Sequence, residues 1–291
     1  MGILNVTPDS FSDGNELSTE QAVVRRAGAM ISAGADVLDL GGESTRPGAL
    51  PVSADEEMDR VLPALAAIRQ TWPHVPVSID TYKAEVAEAA VRAGADIVND
   101  VWGLAHGLSD LERTQWLAIA RKPETTAGNF PALTRMAEVV AALKCPVIAM
   151  HNRTAAEYTD FWPDLLLDLR ASLALAEAAG IPRRQIWLDP GFGFVKSVAQ
   201  NLAVVRDLGR VAALGYPVLL GTSRKSTLGK VLDLPPDQRV EATAATTVLG
   251  VAAGAADIVR VHDVRENTRA ARTADAILRG WRPASWGEDP R

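Results

Sequence analysis

Apolar and polar positions fall in blocks along the chain. Short apolar runs are followed by longer stretches whose apolar residues recur at helical spacing. Gly2-Ile3-Leu4-Asn5-Val6 predicts a strand ending in a polar loop. Residues 18–33 then predict a helix with Ser18 or Thr19 as N-cap and Gly34 past its end. Asp36-Val37-Leu38-Asp39-Leu40 predicts the second strand. The next helix opens near Ser53, with Asp55, Glu56 and Glu57 where the helix dipole favours acids. Further strands are expected at 75–79, 96–98, 146–150, 185–188, 217–220 and 257–261. Helices are expected over 83–93, 161–179, 198–213, 239–253 and 265–279.

Eight near-continuous apolar strands, nearly all followed by helices, fit parallel strands buried on both faces. Three similar joints, Ala33-Gly34-Ala35-Asp36, Ala93-Gly94-Ala95-Asp96 and Ala253-Gly254-Ala255-Ala256-Asp257, link a helix end to the next strand, with Gly at the helix C′ position. The expected fold class is therefore α/β, a (β/α)8 TIM barrel in one domain over 1–280 with a polar tail at 281–291. An open doubly wound sheet normally shows a Gly-rich first turn, and here that turn is Asn5-Val6-Thr7-Pro8-Asp9. The rhythm breaks between Asn99 and Pro146. Two helices, 108–120 and 133–143, flank a polar stretch at 122–129 and make an extended fourth loop. A lid and a surface insertion both fit it.

In such a barrel the residues at the C-terminal ends of the strands share one mouth. Asp80, Asn99 and Asp189 stand at the ends of apolar runs, where a carboxylate needs a partner, and Lys225 and Arg260 follow the seventh and eighth strands. The structural alternative is that such groups bond barrel amides or cap helices. The first two loops differ in kind. Small hydroxyl residues, glycines and Arg46 make a nest suited to phosphate oxygens, and Asn5 with Asp9 or Asp13 could give oxygen ligands to Mg2+.

Composition narrows the partners. The 291 residues carry a net charge of −6 and no basic stretch, so nucleic acid is not expected as a partner; an anionic small substrate is compatible with a few local cations. The single Cys145 excludes an internal disulfide and is expected to pack. No apolar run reaches membrane-span length and no signal peptide is visible, so a cytoplasmic location is expected.

The string from Met1 to Gly14 and the string Gly42-Glu43-Ser44-Thr45-Arg46-Pro47-Gly48 resemble the two signatures of the dihydropteroate synthase family. Ser78-Ile79-Asp80-Thr81, Asn99-Asp100, Asp189-Pro190-Gly191, Gly221-Thr222-Ser223-Arg224-Lys225-Ser226 and Arg260-Val261-His262-Asp263-Val264 resemble its other motifs in order. The resemblance implies a transferase of folate biosynthesis and a target of sulfonamides. It condenses 6-hydroxymethyl-7,8-dihydropterin pyrophosphate with 4-aminobenzoate to 7,8-dihydropteroate and pyrophosphate.

It further implies that Asp80, Asn99, Asp189 and Lys225 bind the pterin ring, and that Asn5, with Asp9 and Asp13, binds Mg2+. Thr45, Arg46, Arg260 and His262 would hold the pyrophosphate, while Arg46, Phe194, Lys225 and Ser226 would border the amine. Met150 and Gly221 are expected among the substrate-binding residues. Asp80, Lys225 and Arg46 are expected to carry the catalysis, and a homodimer is expected. Two rival readings are a methyltetrahydrofolate-dependent corrinoid methyltransferase, which needs no pyrophosphate loop, and a catalytically silent paralogue. The presence of both loops, and of Arg46, Asp80 and Lys225, speaks against them.

Overall fold

The computed structural model describes residues 1–7, 19–44, 50–122 and 130–283. Eight strands run in chain order: β1 Gly2–Asn5, β2 Leu38–Gly41, β3 Val77–Asp80, β4 Ile97–Asp100, β5 Val147–Met150, β6 Ile186–Asp189, β7 Leu219–Leu220 and β8 Ile258–Val259. All the pairings are parallel and sequential, β1 to β6 in one sheet and β7 with β8. Two parallel bridges close the ring, Leu188 with Val218 and Gly2 with Val261. The Met1 ammonium reinforces the second closure by donating to Val259 O at 3.0 Å. The chain is therefore a (β/α)8 barrel.

Eleven helices are described: α1 Thr19–Ser32, α2 Ala54–Thr71, α3 Ala84–Arg92, α4 Asp110–Arg121, α5 Arg135–Leu143, α6 Phe161–Ala178, α7 Val198–Arg206, α8 Gly209–Ala212, α9 Ser226–Leu232, α10 Val240–Ala252 and α11 Val264–Arg279. Adjacent helices pack side by side around the sheet, α1 on α2, α2 on α3, α3 on α5, and α10 on α11. Gly34, Gly94 and Gly254, the glycines of the three recurring joints, all take positive φ after their helices. At α2, Ser53 Oγ accepts from Glu56 N, so the expected cap forms.

The fourth crossover is extended as expected. Helix α5 takes the ring position beside α3, and α4 is the addition, packed on α6 with Trp116 buried and a Ser109–Glu112 capping box at its start. The polar stretch between the two helices lies outside the described residues from 123 to 129, as does the tail beyond 283. Two expectations are corrected. The helix expected over 198–213 is two, α7 and α8, because the chain turns at Asp207 and Leu208. A further short helix, α9, follows the seventh strand where none was expected; seven residues are too few for helical periodicity to show.

Period-two alternation sorts each strand into an outer and an inner set. Leu4, Leu38, Leu40, Val77, Ile79, Val98, Val147, Ala149, Leu188 and Leu220 belong to the main core with the helices. Met1, Ile97, Ile148 and Leu219 form a separate buried cluster with Val37, Trp187 and Ile258, which plugs the barrel interior. Two residues along from these inner positions stand Asp39, Asn99, Met150, Asp189, Gly221 and Arg260. The alternation that fills the floor with apolar groups thus sets polar groups above it. No helix among the described residues is long and apolar enough to cross a membrane.

Candidate functional site

The inner ends of the strands meet in a compact polar ring. Register places Asp80 opposite Asn99 on β4 and Gly41 on β2, with Asn5 of β1 opposite Gly41. Arg260, just past β8, reaches across the barrel. Its Nε donates to Asp39 Oδ2 and its Nη2 to Asp80 Oδ2, each at 2.5 Å. Asn99 Nδ2 donates to both oxygens of Asp39 at 3.3 Å. Asp80 Oδ1 is buried and has no hydrogen-bond partner among the described residues. A buried carboxylate oxygen left open in this way is an acceptor waiting for a ligand donor.

The electrostatics follow from burial. Desolvation pushes Asp80 up to about 7 despite the pull of Arg260, with Asp39 and Glu57 adding to the rise. Burial likewise raises Asp189, opposed chiefly by Lys225, and lowers Lys225 to about 8, opposed chiefly by Asp189. Burial works against the charge of Arg260, but Asp39 and Asp80 outweigh it and hold the guanidinium firmly cationic.

Asp189 ends β6, and its Oδ1 accepts from Gly191 N at 2.7 Å. Lys225 comes back over the loop after β6. Its Nζ donates to Phe192 O and stands 4.5 Å from the centre of the Phe194 ring. A Cβ on Gly221 would lie 3.8 Å from Asp189 Oδ2 and 4.0 Å from Arg260 Cβ, which places this glycine on the wall beside both. Met150 is buried opposite Asp189.

Asp80, Asn99, Met150, Asp189, Phe194, Gly221, Lys225 and Arg260 therefore gather around one end of the barrel. Asn5 joins them: a Cβ on Gly41 would lie 3.4 Å from both Asn5 Oδ1 and Asp80 Cβ. His262 stands on the eighth loop, with its N and Nδ1 each 3.0 Å from Ser223 Oγ on the seventh. Ser226 opens α9 and is exposed. Asp9, Asp13, Thr45 and Arg46 lie outside the described residues.

Sequence reading missed two parts of this arrangement. Asp39 is fully buried one layer below the ring and anchors both Arg260 and Asn99. Its signal was a charged residue inside an apolar strand. Lys196, three residues beyond Gly193, is half-buried with its Nζ turned under the loop after β6, and a lone lysine past a loop motif carried no sequence signal of that position. Asp100, by contrast, faces away from the axis. Its oxygens accept from Trp102 N and Leu104 N, which shapes the fourth loop, and burial raises it to about 6. Beneath that loop a separate cavity of about 30 Å³ is lined by Trp102, Trp116, Met150, His151 and Asp168 among others, room for one or two water molecules.

A metal would need hard oxygen donors. Asn5 offers one at the ring, and no cluster of three or more His, Cys, Asp or Glu suited to a metal occurs among the described residues.

The pterin binding enzyme family matches residues 1–262. A dihydropteroate synthase of Clostridium beijerinckii is 46% identical over 279 residues, covering 96% of this chain and 94% of that protein. The crystal structure of dihydropteroate synthase from Clostridium difficile, determined in the presence of pteroic acid, superposes with a TM-score of 0.82 at 44% identity, covering 96% of this chain and 95% of that one. The Xanthomonas albilineans dihydropteroate synthase with 4-aminobenzoic acid gives a TM-score of 0.81 at 38% identity, covering 95% and 91%. With a match that spans nine-tenths of its length, the chain belongs to the family of pterin-binding enzymes.

Proposed function

We propose that this protein is the enzyme that joins 6-hydroxymethyl-7,8-dihydropterin pyrophosphate to 4-aminobenzoate, releasing pyrophosphate and 7,8-dihydropteroate. The observation that carries the reading is the open, buried Oδ1 of Asp80 within a ring that also holds Asn99, Asp189 and Lys225. A flat heterocycle with N–H donors and ring acceptors on its edges matches such a set of mixed acceptors and donors. The solved relatives determined in the presence of pteroic acid, a joined pterin and aminobenzoate, and with 4-aminobenzoic acid support the same chemistry.

In the reaction the bond from the methylene carbon to the pyrophosphate oxygen breaks, and the oxygen keeps the electron pair. The amine nitrogen then bonds to that carbon and loses a proton. Positive charge develops on the methylene carbon and spreads into the pterin. Asp80, ionised, stabilises that charge from a buried position, and Asp189 holds the ring edge. The arylamine is neutral, so attack needs no strong general base. Lys225 sits between the Asp189 end and the Phe194 ring and so borders both substrates. Arg260 and His262, with Thr45 and Arg46 of the second loop, are assigned to the leaving pyrophosphate. Ser226 is assigned to the amine rim.

Asn5, as a hard oxygen donor beside Asp80, fits Mg2+, with Asp9 or Asp13 as the other protein candidates. When bound, Mg2+ would neutralise charge on the leaving pyrophosphate. The reading carries with it a cytoplasmic location and two small-molecule substrates.

A homodimer is part of the proposal. Helices α10 and α11 pack on each other yet leave Val248, Leu249, Ile277 and Leu278 exposed, an apolar face suited to a second copy of the chain. The activity is tested by incubating the protein with the pterin pyrophosphate, 4-aminobenzoate and Mg2+ and measuring pyrophosphate release. Release that requires the amine is expected; folded protein with no release would sink the reading.

A further inference from the structure

We propose that Lys196 is a positioning residue for amine binding, holding the loop after β6 in the shape that sets Phe194 against Lys225. The proposal rests on the reading above, in which Phe194 and Lys225 border the 4-aminobenzoate.

Lys196 Nζ stands within hydrogen-bond distance of three acceptors inside the protein, and burial lowers it to about 7, opposed chiefly by Asp189. Nζ donates to Gly191 O at 2.9 Å and to Phe194 O at 3.1 Å, and it lies 2.9 Å from His151 Nδ1. The loop thus folds around the ammonium, with one carbonyl from its start and one from its tip turned inward. His151 Nε2 lies 3.0 Å from Asp168 Oδ2. Burial keeps this imidazole neutral, lowering it to about 4. Only one neutral tautomer satisfies both neighbours: Nε2 carries the proton and donates to Asp168, and Nδ1 accepts from Lys196. Asp168 also accepts from Arg153 Nε at 2.6 Å. A continuous chain therefore ties the loop, through Lys196 and the end of β5, to α6.

The loop bears directly on the amine side of the site. Gly193 has φ +84, and a Cβ there would lie 2.6 Å from Lys225 Cδ, so the loop backbone rests on the Lys225 stem. The Lys225 ammonium donates to Phe192 O and faces the Phe194 ring. Phe194 and Lys225, two of the residues assigned to the amine, thus lie on or against the backbone that Lys196 holds. Asp189, by contrast, is fixed by strand pairing on β6, and its own carboxylate holds Gly191 N. Other fastenings, from Asn201 Oδ1 to Gly193 N and from Tyr158 OH to Val195 O, keep the loop in place but touch neither inward carbonyl. Without Lys196 Nζ, Gly191 O keeps only Phe194 N, at 3.1 Å, and Phe194 O loses its side-chain donor, so the tip of the loop loses the tie that turns it inward.

The test measures kcat and the two KM values separately in wild type, Lys196→Met and Phe194→Ala. For Lys196→Met, the KM for 4-aminobenzoate should rise at least tenfold while the KM for the pterin pyrophosphate changes less than threefold. Unchanged KM for the amine, or equal rises in both KM values, overturns the proposal. Should Lys196→Met fail to fold, Lys196→Gln, which keeps two N–H donors but no charge, carries the test with an expected rise of severalfold and the same overturning results. Phe194→Ala should raise the amine KM too; if it does not, the assignment of Phe194 fails, and the proposal with it. An inactive wild type would instead remove the proposed reaction.

Discussion

Arg260 Nη2 donates to Asp80 Oδ2 at 2.5 Å, joining the end of the eighth strand to the end of the third across the barrel mouth. The same guanidinium holds Asp39 through Nε, so one cation serves two buried carboxylates and leaves Asp80 Oδ1 open. The pair fixes the orientation of the carboxylate before any ligand arrives, which is the condition for electrostatic stabilisation without reorganisation.

Replacing Asp80 with Asn keeps its size and removes the charge. Arg260 keeps Asp39 as its anchor, so the variant should fold. Turnover should fall well over tenfold, by analogy with the ~10²–10³-fold losses seen when a single stabilising group is removed. Steady-state pyrophosphate release and circular dichroism together check this. Near wild-type turnover would take Asp80 out of the mechanism.

Asp39→Asn tests the layer beneath. Asp39 is fully buried and accepts from both Arg260 and Asn99. Breaking a buried ion pair by removing one partner costs about 3 kcal/mol, because the remaining charge stays desolvated. Here Asp80 remains to Arg260, which puts the loss at or below that figure. A urea titration should show a clearly lower midpoint at unchanged slope. An unmoved midpoint would mean that Asp39 contributes nothing to holding the ring.

The raised Asp80 gives two pH effects of opposite sense. Catalysis needs the ionised carboxylate, so kcat/KM should climb with pH to a plateau above about 7, and that limb should vanish in Asp80→Asn. Stability runs the other way. The folded group holds its proton at pH values where the unfolded one has lost it, so its contribution is present below the ordinary carboxylate range and is lost as pH rises from about 4 toward 7. Thermal melts of ligand-free protein should show this fall, and Asp80→Asn should reduce it. A kcat/KM profile flat through pH 7 would contradict the assignment.

The barrel was legible in the sequence because parallel strands buried on both faces leave continuous apolar runs, and because three of the crossovers end in the same Gly-containing joint. Asp80, Asn99 and Asp189 were legible as polar residues closing such runs. Asp39 was not, since one charge inside Val37-Leu38-Asp39-Leu40 gives no sign of which face it occupies; register with β3 and the reach of Arg260 decide that. Lys196 was hidden for another reason. Its partners, His151 and Asp168, come from β5 and α6, and only closure of the ring brings them together. Asp100 stood beside Asn99 in the same motif, yet strand alternation turns it outward to the loop amides.

The proposed self-association can be tested on α10. Leu249 is 56% exposed on a helix of mostly apolar residues, and none of the described residues covers it. Leu249→Glu should place a charge in a desolvated interface and shift the protein from dimer to monomer in sedimentation velocity. An unchanged dimer would move the interface elsewhere, and a monomeric wild type would remove the proposal.

Gly41 separates the site from the fold. It lies in β2, paired to Asn5 on one side and Asp80 on the other, with the extended backbone that any residue adopts. A Cβ there would meet Asn5 Oδ1 and Asp80 Cβ at 3.4 Å, which is ordinary contact, so Gly41→Ala brings neither strain nor a clash within the protein. Its methyl group would nevertheless stand at the inner wall between the two polar side chains, where the ring of a bound pterin is assigned. The variant should melt within a few degrees of wild type, in keeping with a substitution costing under ~1 kcal/mol. Its affinity for the pterin pyrophosphate, measured by isothermal titration calorimetry without the amine, should drop at least tenfold. Unimpaired binding with an intact fold would mean that the heterocycle does not rest against β2, and the assignment of Asp80 to its edge would have to be withdrawn.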